Sequence, residues 1–191
     1  GVGGLYVIDI SSSTNPVFAG KTTPFNNFVL DIVVRGKYAY LAADGDGLEI
    51  VDISNPSSPT IVGTYDSNGY TSGVYISGKL AYLADLRAPL PVNDYGGMKI
   101  IDISDPTNPT PLYTTALGGK SVSNVAVNGH YAYLSVDSNP SVSGDSGEMQ
   151  VWDISSSTAP FMTSNYSDKP IYDVALSGKT AFVADWTGGV V

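Results

Sequence analysis

Acidic side chains supply the first chemistry this chain suggests. Four short apolar runs each end in an aspartate that opens a loop: Asp44 in YLAADGDG, Asp85 in YLADLRAP, Asp137 in YLSVDSNP and Asp185 in FVADWTGG. Joined by Asp46, Asp145 and Glu148 from the same loops, these carboxylates are the ligand type a hard cation such as calcium takes, with roughly six to eight oxygens. The alternative gives each aspartate a local task, capping the backbone of its own loop. DGDGLEIVD departs from the EF-hand pattern at Leu48, where an oxygen ligand belongs, and no GGxGxD repeat occurs. Calcium is thus an optional ion in this reading, and no cofactor is required.

Tyr95 and Trp186 stand on the same loops, off the repeated apolar positions. An aromatic face beside acidic, Gly-rich segments can stack on a sugar ring or simply pack over the loops. Nucleophilic chemistry has less to work with. The only histidine, His130, falls in the turn NGHY where other copies carry Lys37, Lys79 and Lys179, a solvated position that builds no triad. There is no cysteine, and no HExxH, GxSxG, P-loop or GxGxxG context. Two carboxylates working as acid and base need about 5 to 10 Å between them, and spacing along the chain does not fix that distance.

Composition narrows the classes further. With 191 residues and 42% apolar content the chain can bury one substantial core. Thirteen Tyr, 21 Gly and 12 Pro suit many short strands broken by tight turns. A net charge of −9 repels a phosphate backbone, so nucleic acid is not an expected partner. No apolar run is long enough to span a bilayer as a helix. The absence of cysteine leaves the redox compartment open. The opening GVGGLYVIDI has neither an initiator Met nor a signal sequence and reads as the start of a trimmed fragment.

The elements that must position these loops repeat. RGKYAYLAAD, SGKLAYLAD, NGHYAYLSVD and SGKTAFVAD are copies of one phrase; GLYVIDIS, GLEIVDIS, GMKIIDIS and EMQVWDIS are copies of a second. Asp9, Asp52, Asp102 and Asp153 of the second phrase lie 43, 50 and 51 residues apart. Each unit divides into four runs of five to seven residues rich in β-branched residues and Tyr, bounded by Gly, Asn, Asp and Pro, and none carries a helical period. A period near 45 residues with four antiparallel strands is the signature of a propeller blade. The units run approximately over 28–68, 69–118, 119–168, and 169–191 plus 1–27. The last joins both termini into one composite blade of a four-bladed ring, or else the chain is an excerpt of a larger ring.

Those strand cores, preceded by YAYLA-type text and followed in three copies by N-P or D-P/N-P, resemble the LVIVD repeat of bacterial and archaeal surface or secreted proteins. The resemblance covers nearly the whole chain. It implies an all-β propeller and an extracellular or cell-surface location, but no common reaction. Trp152-Asp153 imitates the WD40 strand end, whereas Val51-Asp52, Ile101-Asp102 and Ile8-Asp9 do not.

Within a blade, Tyr38 and Tyr40 should face one neighbour while Ala39 and Leu41 face the other. The aspartates of VDIS should accept turn N–H groups. Loops between the second and third strands vary strongly and share one face, where Asp44, Asp85, Asp137 and Asp185 would ring the channel mouth. That layout points to a non-enzymatic scaffold for protein partners or self-association, with carbohydrate a further candidate on the loops. Two rivals stand beside it: a secreted hydrolase or lyase with an acidic, calcium-assisted site, and a structural subunit of an extracellular fibre.

Overall fold

The computed structural model describes residues 4–86, 96–115, 117, 120–137, 147–167, 171–185 and 189–190. Tyr95, Asp145 and Trp186 lie outside them. Among the described residues every regular element is a strand, and no helix is long and apolar enough to cross a membrane.

Five antiparallel sheets follow one another along the chain. Tyr6–Asp9 (β1) and Val17–Lys21 (β2) form the N-terminal sheet. Asp31–Arg35 (β3), Tyr38–Ala42 (β4), Leu48–Asp52 (β5) and Thr60–Tyr65 (β6) form blade 1. Tyr70–Ser77 (β7), Leu80–Leu86 (β8), Gly97–Asp102 (β9) and Thr110–Thr114 (β10) form blade 2. Blade 3 comprises Val122–Asn128 (β11), Tyr131–Val136 (β12), Glu148–Asp153 (β13) and Phe161–Tyr166 (β14). Ile171–Ser177 (β15), Thr180–Asp185 (β16) and Gly189–Val190 (β17) form the C-terminal sheet. Among the described residues β1–β2 and β15–β17 form separate ladders.

The local causes are legible strand by strand. Arg35 pairs with Tyr38 across Gly36-Lys37, and Gly36 has φ +59°, the type II′ hairpin geometry that a side chain would strain. Gly78, Gly129 and Gly178 repeat it. A register shift between the third and fourth strands recurs at Val7/Ile8, Ile50/Val51, Pro111/Tyr113 and Val151/Trp152, bending each outer strand at one place.

Both faces of a blade are buried, which makes the fold a β-propeller and not a one-sided sheet. Tyr40, Ala42, Leu48 and Ile50 of blade 1 meet Ala81, Leu83, Ile101 and Ile103 of blade 2. On the opposite face, Ala39, Leu41 and Val51 meet Phe25 and Leu5. The expected alternation of tyrosine against alanine and leucine holds. Blade 2 repeats the joint, its Tyr82, Met98 and Ile100 packing on Ala132, Leu134, Trp152 and Ile154 of blade 3. Trp152 is thus a packing residue, and its Nε1 donates to Gln150 Oε1 at 2.8 Å. Each fully buried leucine at these joints contributes about 2 kcal/mol of transfer free energy.

Candidate functional site

One face of the propeller is uniform. Asp9, Asp52, Asp102 and Asp153 each accept the N–H of the serine two residues on, Ser11, Ser54, Ser104 and Ser155, at 2.8 to 2.9 Å. These Asx turns are the structural role expected for the VDIS aspartates. Bonds from Ser54, with Lys37 Nζ 3.2 Å away, hold the Asp52 carboxyl down to about 2. His130 is exposed beside Asp153, as Lys37 is beside Asp52. This face builds turns and offers no reacting group.

Along the axis, the first strands of four sheets surround a cavity of about 520 Å³ lined by Asp31, Val74, Tyr75, β11 residues from Asn124 to Asn128, and Val174 to Leu176. Asp31 Oδ2 crosses to the next blade to accept Val74 N–H at 3.0 Å. Asn124 Nδ2 reaches Asp173 Oδ1 of the C-terminal sheet. Ser72 and Ser123 hydroxyls donate to Ser123 O at 3.0 Å and Tyr172 O at 2.7 Å, one blade further on. These polar groups stitch neighbouring first strands together. In the sequence, the in-phase Asp31, Asn124 and Asp173 at the head of DIVV, NVAV and DVAL were the available signal.

Among the described residues, the ladder separates the predicted loop aspartates into two kinds. Asp85 stands opposite Gly97 within β8, where Ala43 bonds across to Gly47 in blade 1 and Val136 pairs with Glu148 in blade 3. Asp185 is paired with Gly189, as Asp85 is with Gly97. Asp44 and Asp137 come one residue later in their copies. Both lie beyond the last residue of their strands, Ala42 and Val136.

Each described carboxylate has its own surroundings. Asp85 is fully buried, with Lys99 Nζ at 2.7 Å and Thr71 Oγ1 donating at 2.6 Å; burial pushes its carboxyl up despite these partners. Asp44, at φ +48°, exchanges two backbone hydrogen bonds with Thr71 of blade 2, at 3.1 and 2.9 Å. Asp46 accepts the N–H groups of Asn26 and Asn27 at 3.0 and 3.1 Å and Asn27 Nδ2 at 2.8 Å. Burial raises the Asp137 carboxyl. Burial also works to raise Glu148, but bonds from Gln150, Asn165 and Lys120 outweigh it and leave the carboxyl below its ordinary value. Among the described residues no three acidic, His or Cys side chains converge closely enough to hold one metal ion.

A second polar position escaped the sequence reading. In GLEIVD, GMKIID and EMQVWD the third residue is charged or amide inside an otherwise apolar strand: Glu49, Lys99 and Gln150, all buried. Lys99 meets Asp85, and Gln150 bridges Glu148 and Trp152. Glu49 differs, because its Oε2 is buried without a hydrogen-bond partner and burial, with Asp46 nearby, raises its carboxyl to about 7.

Comparison with known proteins follows the same lines. Among curated proteins none matches the sequence. Among solved structures, the computationally designed Ika4 protein superposes with a TM-score of 0.65 at 9% identity, covering 89% of this chain and 94% of that one. The computationally designed Ika8 protein gives 0.55 at 8% identity, covering 91% of this chain and 60% of that one. At such identities the likeness concerns the fold. The LVIVD repeat matches residues 1–23, 29–67, 68–113, 118–168 and 171–191, and the chain therefore belongs to the LVIVD repeat family.

Proposed function

We propose that this propeller is a non-enzymatic, extracellular or cell-surface scaffold that works through assembly with other copies and through its variable loop face. The observation that carries assembly is a match between its two ends. Ile101 and Ile103 of blade 2 are buried against Tyr38, Tyr40 and Leu48 of blade 1. Their counterparts in the N-terminal sheet, Ile8 and Ile10, are 46% and 75% exposed. At the far end, the counterparts of the receiving residues, Tyr131, Tyr133 and Met149, line an open groove of about 620 Å³ together with Leu176 and Ala181. Ile8 and Ile10 of a second copy fit that seat as Ile101 and Ile103 fit theirs.

Unlike ends meeting head to tail give a closed ring or an open filament according to the rotation per copy, so the fibre-subunit reading belongs to the same contact. A charge of −9 and the family's surface and secreted members support the location. Light scattering over a concentration series tests the contact. The wild type is expected to associate, and Ile8→Ser with Ile10→Ser to return it to monomer. A wild-type monomer at all concentrations overturns assembly and favours closure within one chain. Calorimetry with calcium and then chelator addresses the rival hydrolase or lyase reading, which requires heat and a shifted Tm.

A further inference from the structure

The same strand position is solved differently in neighbouring blades. In blade 2 a buried carboxylate, Asp85, is matched by the ammonium of Lys99 at 2.7 Å. In blade 1 the lysine's place holds Glu49 and the aspartate's place holds Ala43, so the built-in ion pair is missing. Glu49 is only 7% exposed and its Oε2 has no hydrogen-bond partner. A buried carboxylate oxygen left so is disfavoured in its charged form, as any unpaired buried ion is.

Glu49 lines a cavity of about 280 Å³ that opens between blade 1 and the segment joining β2 to β3, on the variable-loop side. Two more carboxylates, Asp46 and Asp66, line it, and Pro24, Phe25 and Ile61 supply an apolar wall. Asp46 is held in place by Asn26 and Asn27, and Asp66 by its bond from Asn68 N–H at 2.8 Å, so the acidic rim is fixed before any ligand arrives. Acid at one side and hydrocarbon at the other complement a cation on an aliphatic stem. The carboxylates are too dispersed to share one bare metal ion.

We propose that this cavity binds an alkylammonium group, carried either by a free amine or by a lysine side chain of another protein. The ammonium donates to the Glu49 carboxylate and faces Asp46 and Asp66, while the methylene stem lies against Phe25 and Ile61. The site is separate from the end-to-end contact, and its failure leaves that contact untouched.

Calorimetric titration with 1,4-diaminobutane hydrochloride, and in parallel with Nα-acetyl-lysine amide, tests it. Saturable binding is expected, tighter at pH 8 than at pH 6 because Glu49 releases its proton near neutrality while the amine stays charged. Glu49→Gln should weaken it at least about tenfold, the loss of one charge-assisted bond. Gln150 already occupies the equivalent position of blade 3, so the amide fits the strand. Asp66→Asn, which keeps the turn acceptor, should weaken it less. Preference for the diamine assigns a free amine, preference for the lysine amide a protein side chain, and equal binding leaves recognition with the ammonium itself. No saturable heat from either amine, Glu49→Gln binding as the wild type does, or a response to calcium chloride alone overturns the proposal. Should Glu49→Gln misfold by circular dichroism, amide shifts at Gly45 and Thr64 in the titrated wild type decide: movement supports the site, and none overturns it.

Discussion

Blades 1 and 2 share strand order, hairpin turn and ladder register, yet at one buried position they carry opposite charge. Lys99 and Asp85 neutralise each other inside blade 2, whereas Glu49 faces Ala43's place and an acidic cavity in blade 1. The difference teaches that the repeat conserves shape through the apolar ladder and leaves this polar slot free to vary. A slot closed by its own ion pair serves stability; a slot left with a free carboxylate oxygen can serve binding.

The largest break in that comparison is Lys99→Met. It strands a buried carboxylate and should cost about 3–5 kcal/mol at pH 7 by urea unfolding. Adding Asp85→Ala should recover most of the loss. Recovery failing would mean that Lys99 acts through packing and not through Asp85.

Glu49 sharpens the contrast through pH. Its folded carboxyl titrates at about 7 against an ordinary 4.5, so the folded state holds the proton more tightly than the unfolded chain. That contribution is complete below pH 4.5, falls as pH rises, and is lost above 7, an effect of up to about 3 kcal/mol. Unfolding curves at pH 5 and pH 8 should therefore differ in the wild type, and Glu49→Gln should remove that part of the difference. An unchanged pH dependence would place the proton elsewhere.

A smaller test concerns the joint between the blades. A Cβ on Gly63 would sit 2.0 Å from Pro106 O of blade 2, so Gly63→Ala should cost about 1–3 kcal/mol. The counterpart in blade 2 is Tyr113, and the loop of blade 3 carries Ser157 where Pro106 stands. Gly63→Ala combined with Pro106→Ser measures whether residue pair and loop vary together. The smallest effect belongs to the uniform face. By NMR titration the Asp52 carboxyl should show a midpoint near 2, and Lys37→Ala should raise it only partway, because the Ser54 bonds come first among its causes. Asp52's stabilising share is present above pH 4 and fades as acid approaches that midpoint.

Much of the architecture could be read directly. The recurrence of G-K turns, YAYLA and VDIS defined strands, hairpins and period, since each depends on local φ and on a two-residue alternation that a few neighbours settle. The Asx role of Asp9, Asp52, Asp102 and Asp153 was legible for the same reason: donor and acceptor lie two residues apart. Sites resisted that reading. Asp44, Asp85, Asp137 and Asp185 look alike as text, but one extra residue before Asp44 and Asp137 puts them out of register with the other two.

Sequence by itself therefore determined the blade: its strands, its turns, its two buried faces and its membership of the LVIVD repeat family. Tertiary structure alone decided which charges meet. Lys99 finds Asp85 across a ladder, Asp31 finds Val74 in the next blade, and Glu49 Oε2 finds no partner, because such pairings depend on distances of a few ångströms between segments far apart in the chain. Local alternation is encoded residue by residue, while electrostatic pairing is settled only when the sheets stack.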